Sequence, residues 1–178
     1  MRTYEELFPL IKKLEPELKE KVINTFDEAR KLGGWEIEEL ERIPFTLLIP
    51  ETKESFVTHT NSVAEIAYSS AKILMENYPN MNINEQYLIA GALLHDVGKL
   101  VEYKKKDSGY ATSQSGKLLR HPFSGANIAY KNGLPAEVVH IIATHAKEGD
   151  GGFRSIESIL VHHADFINFE SIKVVYGK

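Results

Sequence analysis

An all-α fold follows from three features of the sequence. Apolar residues recur at helical spacing over most of the chain, breaker clusters separate those stretches, and no run of alternating residues argues for a strand. The 178 residues, 43% apolar and 26% charged without a biased tract, describe one globular domain able to bury a sizeable core. Lys and Arg number 21 against 25 Asp and Glu, a net charge of −4, so bulk nucleic-acid binding and an anionic-membrane surface are not expected. Met1 leads into a polar segment and no apolar run approaches the length of a membrane span, so we expect a cytoplasmic protein with no membrane partner. Zero cysteines remove disulfides, thiolate metal sites and cysteine nucleophiles, leaving His and carboxylate to hold any metal.

The first fifty residues hold 19 of the 46 charged residues and none of the seven histidines, which divides the chain into an N-terminal helical extension over 1–50, packing on the core, and a functional domain over 51–178. Within the extension, Pro16 at a helix start, the stripe Leu18, Val22, Phe26 and Ala29, and the Gly33-Gly34 stop predict one amphipathic helix. The proline-bracketed piece Pro44 to Pro50 predicts an extended connector. Helices are expected near 54–78, 84–97, 122–132, 135–146 and 155–170, with breakers such as Asn77-Tyr78-Pro79-Asn80 and Asn132-Gly133-Leu134-Pro135 between them. Residues 102–120 lack apolar periodicity and read as a long loop.

Taken singly, a helical histidine is more often structural or exposed than functional, so the useful test is which way each one points. His59 falls in line with Val63, Ile66, Ala67 and Leu74, on the apolar face of its helix. Leu88, Ala92 and His95 share one stripe and Ile89, Leu93 and Asp96 the next, which turns both His95 and Asp96 inward. His145 continues Val138, Ile141 and Ile142, whereas His140 lies on another side and reads as a bystander. His121 precedes Pro122 at a helix start, with Gly125 and Ala129 following on the same side to permit a close approach. The last helix is apolar nearly all round, which predicts burial and leaves Asp165 in need of a partner. For His162 and His163 packing is the expected role. Buried imidazoles and carboxylates left as isolated polar groups cost several kcal/mol each, and a shared cation resolves them together. Such donors suit Fe, Mn, Co, Ni or Zn, and six of them suit two ions sharing a bridging carboxylate.

The order His59, His95-Asp96, His121, His145, Asp165 resembles the HD superfamily of metal-dependent phosphohydrolases. Leu93-Leu94-His95-Asp96-Val97-Gly98-Lys99 is similar to its helix-ending His-Asp element, and Ala164-Asp165 to its closing Ala-Asp. The resemblance spans residues 59–165 and implies an HD-domain helical bundle, with the N-terminal helical appendage outside it. It implies that His59, His95, Asp96 and Asp165 hold one ion while Asp96 bridges to a second held by His121 and His145. Glu148-Gly149-Asp150-Gly151-Gly152-Phe153 matches only in part the signature of members acting on cyclic dinucleotides.

The expected activity is hydrolysis of a phosphomonoester or phosphodiester, such as a nucleotide or other small phosphorylated substrate, by a hydroxide between two divalent transition-metal ions. Asp96 would act as the catalytic bridge rather than as nucleophile, and Lys99 would meet the phosphate. Lys117 and Arg120 are further substrate-contact candidates, and the run Lys104-Lys105-Lys106 reads as solvated. A di-iron oxygenase of the same family and a nucleotide-binding sensor without turnover are the alternatives, and a homo-oligomer stays open.

Overall fold

The computed structural model describes residues 2–177 and is all-α apart from one small hairpin. Chain order runs α1 (Tyr4–Leu7), a 3-10 turn (Pro9–Lys13), α2 (Pro16–Gly33), α3 (Phe56–Asn77), α4 (Glu85–Leu94) and α5 (Lys99–Glu102). The hairpin β1 (Tyr103–Lys105) and β2 (Tyr110–Thr112) follows, then α6 (Gln114–Leu118), α7 (His121–Lys131), α8 (Ala136–Thr144) and α9 (Ile156–Tyr176).

The helix ends sit where local chemistry puts them. Side chains of Ser55, Asn84 and Ser155 accept from the backbone N–H groups of Thr58, Tyr87 and Ser158, satisfying donors that the first turn leaves open. Pro16 starts α2, and Gly34 closes it with φ of 72°, a left-handed conformation that glycine adopts without steric cost.

The bundle is built on α4, apolar all round and buried from Leu88 to Leu94, with α3, α8, α9 and α2 packed about it. α7 lies against both α8 and α2. Residues from the N-terminal segment, Leu7, Phe8, Phe26 and Trp35 among them, share one continuous core with Phe56, Leu93 and Ile141. Trp35 is fully sequestered, and its indole N–H donates to the carbonyl of Leu100 at 2.6 Å. No helix among the described residues is long and apolar enough to cross a membrane.

Three expectations need correction. The helix expected over 84–97 stops at Leu94, and residues 95–98 form a turn into α5. The expected loop 102–120 contains the hairpin, with Tyr103 opposite Thr112, and α6. Its strands span three residues each, too short for alternation to register. Finally, α9 is not a buried helix: Ser158, Val161 and Ala164 are covered, whereas Ile159, Ile167 and Val174 are exposed. His163 is exposed with them, so it does not pack in the core. Composition alone cannot distinguish a helix covered on every side from one that docks by a single narrow face.

A candidate metal centre

Asp96 lies at the middle of the site because α4 breaks just before it. The turn over 95–98 brings its carboxylate against His121 at the start of α7, and Gly98 lets α7 come close. A Cβ at Gly98 would lie 2.1 Å from the carbonyl of His121 and 2.7 Å from the nitrogen of Gly125. The neighbour that Gly125 admits is therefore the backbone of Gly98.

Four imidazoles point Nε2 at this one carboxylate. His59 and His95 approach Oδ2 at 3.3 and 3.4 Å, while His121 and His145 approach Oδ1 at 3.3 and 3.7 Å. Asp165 joins the first pair, its Oδ1 3.1 Å from His59 Nε2. The ligand-capable atoms of His59, His95 and Asp96 lie within 4.8 Å of one another, and so do those of Asp96, His121 and His145. Each oxygen of Asp96 thus faces its own histidine pair.

The outer ring nitrogens fix the tautomers. Nδ1 of His95 lies 2.7 Å from the carbonyl of Ala92, and that of His145 lies 2.8 Å from the carbonyl of Ile142. Nδ1 of His121 is 2.9 Å from Glu102 Oε2, and that of His59 is 2.6 Å from Asn168 Oδ1. These oxygens only accept, so Nδ1 carries a proton in each ring and Nε2 is directed inward, presenting a lone pair wherever the ring is neutral. Lone pairs aimed at a carboxylate from 3.3 to 3.7 Å, as at His121 and His145, repel it unless positive charge stands between them. His145 Nε2 is moreover buried with no hydrogen-bond partner. Nitrogen and oxygen donors so arranged, without sulfur, fit a transition-metal cation.

Lys99 supplies part of the positive charge. It starts α5 rather than ending α4, and its buried Nζ donates to Asp96 Oδ2 at 2.5 Å and to the carbonyl of Phe45 at 2.6 Å. Burial pushes the Lys99 ammonium down, but the charge of Asp96 outweighs it and raises the group above its ordinary value. Burial likewise raises Asp96, yet Lys99 and the surrounding imidazoles hold it well below the usual carboxylate range. His59 is driven down by burial and up by Asp165 and Asp96; the carboxylates win and lift it to about 9. At His95 and His121 burial dominates and both are lowered.

Glu102 and Asn168 are parts of the site that sequence reasoning did not single out. Glu102 Oε2 also accepts from the backbone N–H of His121 at 2.6 Å, and Asn168 Nδ2 donates to Ser62 Oγ at 2.8 Å. Asn168 follows Asp165 by three residues, one helical turn, which is the signal that could have found it. Among the other expected residues, Lys117 and Arg120 are exposed and line the cleft that leads to Asp96. Lys105 turns away, pairing with Glu39 at 2.7 Å. His140 stays outside the cluster, its Nε2 3.2 Å from the backbone N–H of Ser155, and His162 Nδ1 lies 2.6 Å from the carbonyl of His145.

Fold and site together define an all-helical protein built around a buried histidine–aspartate centre. The chain belongs to the HD domain family, whose match covers residues 47–168. It is 38% identical over 112 residues to the dihydroneopterin 2′,3′-cyclic phosphate phosphodiesterase of Methanocaldococcus jannaschii, covering 61% of this chain and 44% of that protein. It is 33% identical over 88 residues to ribonuclease Y of Acidothermus cellulolyticus, covering 49% of this chain and 15% of the relative. With ribonuclease Y of Desulforudis audaxviator the identity is 30% over 104 residues, 58% of this chain and 17% of the relative. The matched stretch is therefore less than half the length of each of these relatives. No solved structure matches the chain.

Proposed function

We propose that the chain is a metal-dependent phosphoester hydrolase with two divalent transition-metal ions. The observation that carries the reading is the set of four inward Nε2 atoms divided between the two oxygens of Asp96. His59, His95, Asp96 and Asp165 would hold one ion, and Asp96, His121 and His145 the other. Bound there, the ions supply Lewis acidity and bring the pKa of water toward neutrality.

The chain's own residues do the rest. Lys99 keeps Asp96 ionised and fixed, while Glu102 and Asn168 hold His121 and His59 in the tautomer a ligand needs. A cleft of about 560 Å³ over the centre has room for a small molecule. Lys117 and Arg120 stand at its edge, where they favour an anion.

A nucleoside 2′,3′-cyclic phosphate, carrying the group named in the Methanocaldococcus jannaschii relative, is the first substrate to test, beside bis(p-nitrophenyl) phosphate. Protein loaded with Mn²⁺ or Fe²⁺ is expected to hydrolyse at least one of them without dioxygen and to stop when the metal is chelated. A fully loaded protein inert towards both, and towards a panel of phosphomonoesters, would overturn the reading.

Metal uptake is also expected to expel a proton. His59, lifted to about 9, is protonated at neutral pH in the metal-free protein, and the proton and the ion compete for Nε2. Titration with Mn²⁺ at pH 7 in buffers of different ionisation enthalpy should show about one proton released per chain, with affinity falling as the pH drops. Loading that is independent of pH between 6 and 9 would show that the ion displaces no proton from His59 Nε2.

A further inference from the structure

We infer that Arg154 and His162 are positioning residues for the ion assigned to Asp96, His121 and His145, acting through the backbone of His145. This rests on the two-ion reading. His145 is the first residue past α8, at a helix end, where main-chain carbonyls lack partners within the helix.

Side chains from the following segment take those carbonyls. Arg154 Nε donates to the carbonyl of Thr144 at 2.8 Å and its Nη2 to that of Ala146 at 3.0 Å. Between them, His162 Nδ1 donates to the carbonyl of His145 at 2.6 Å. Two side chains thus hold three consecutive carbonyls centred on the ligand. Among the described residues no main-chain N–H reaches the carbonyls of Thr144 and His145, so these side chains are what closes the end of α8. The Arg154 side chain is only 15% exposed, and its planar fork spans carbonyls two residues apart, which the single ammonium of a lysine does not. Thr144 is fixed from other sides as well. Its Oγ1 lies 2.6 Å from Ser158 Oγ, and a Cβ at Gly149 would stand 2.3 Å from its carbonyl, so the turn Lys147–Gly149 folds directly back on it.

The turn that carries His95 and Asp96 is held differently. Past α4, the N–H groups of Val97 and Lys99 donate to the carbonyls of Leu94 and Asp96 at 3.0 and 2.9 Å, so the main chain closes that end by itself. His145 depends instead on side chains from just before and within α9, a helix that also carries Asp165 one turn beyond His162. The supports of the two ions are therefore different in kind. Those of His145 can be removed one at a time with every donor atom to the metal left in place.

Calorimetric titration of the metal-free full chain with Mn²⁺, beside EPR of the loaded protein and urea unfolding, tests this. The parent should take up two ions and give the spectrum of an exchange-coupled pair. Arg154→Gln and His162→Ala should each weaken the second ion about tenfold, the lower end for outer partners of a ligand because they hold its backbone rather than its ring. The first ion should keep its affinity, and the coupled spectrum should give way to that of an isolated ion. His162→Asn, which places an amide N–H near the position of Nδ1, should restore the pair, whereas Arg154→Lys should not. Asp150→Asn removes only the exposed partner of Arg154, 2.9 Å away, and should bind both ions as the parent does. Parental affinity for both ions in Arg154→Gln and His162→Ala overturns the inference, with or without a lower urea midpoint, since a purely structural role moves the midpoint alone. Equal weakening of both ions overturns it too. A parent that binds one ion overturns the two-ion reading along with it. The expected pattern in a protein without turnover supports the inference and removes the hydrolase reading alone.

Discussion

Asp96→Ala is expected to lose metal at both positions, because each histidine pair faces an oxygen of this one carboxylate. Changing a residue that merely orients a ligand costs about 10- to 100-fold in metal affinity, so removing a shared ligand should exceed ~100-fold. The change also leaves the Lys99 ammonium buried with only the Phe45 carbonyl beside it. Breaking a buried ion pair from one side costs about 3–5 kcal/mol, a large fraction of a domain's stability. Asp96→Asn keeps the volume and an oxygen near Lys99, and so separates the two effects: it should fold better than the alanine variant and still bind metal poorly. Elemental analysis beside urea unfolding reads both quantities. Full metal content in Asp96→Ala would refute the shared-ligand arrangement.

Gly98→Ala is expected to damage the second histidine pair while touching no donor atom. The added methyl would stand 2.1 Å from the His121 carbonyl and 2.7 Å from Ser124 Oγ and the Gly125 nitrogen, and a backbone contact cannot turn aside. The start of α7 has to move, and His121 moves with it. Overpacking of this kind costs about 1–3 kcal/mol, and we expect the upper end because the crowded atoms are main chain. Metal analysis should find the first ion retained and the second reduced. Gly125→Ala, whose contacts would be 3.1–3.3 Å, should show a milder form of the same defect. A Gly98→Ala protein with parental stability and two ions bound would show that α7 is free to yield.

Local and periodic information accounts for what was legible. Pro16, the Gly33-Gly34 stop and the apolar stripe between them mark α2 because a helix start, stop and face are each encoded within a few residues. Facing arguments work for His59, His95 and His145 because a buried stripe constrains every residue on it. They also separate His140, which pairs with Ser155, from the cluster. What stayed hidden depends on distance along the chain. Asn168 meets His59 across 109 positions, and the use of Glu102 as the partner of His121 depends on a hairpin reversal that no periodicity announces. The turn over 95–98 that makes Lys99 the start of α5 is hidden as well, because the apolar register runs unbroken through 97.

The bond from Trp35 to the Leu100 carbonyl has a practical side. Trp35 is the single tryptophan of the chain, and Leu100 directly follows the lysine that grips Asp96. Indole emission responds to the polarity and hydrogen bonding of its surroundings, so a shift of the α5 backbone on loading would change its colour. The molecule carries its own unlabelled optical gauge, one residue removed from its chemistry.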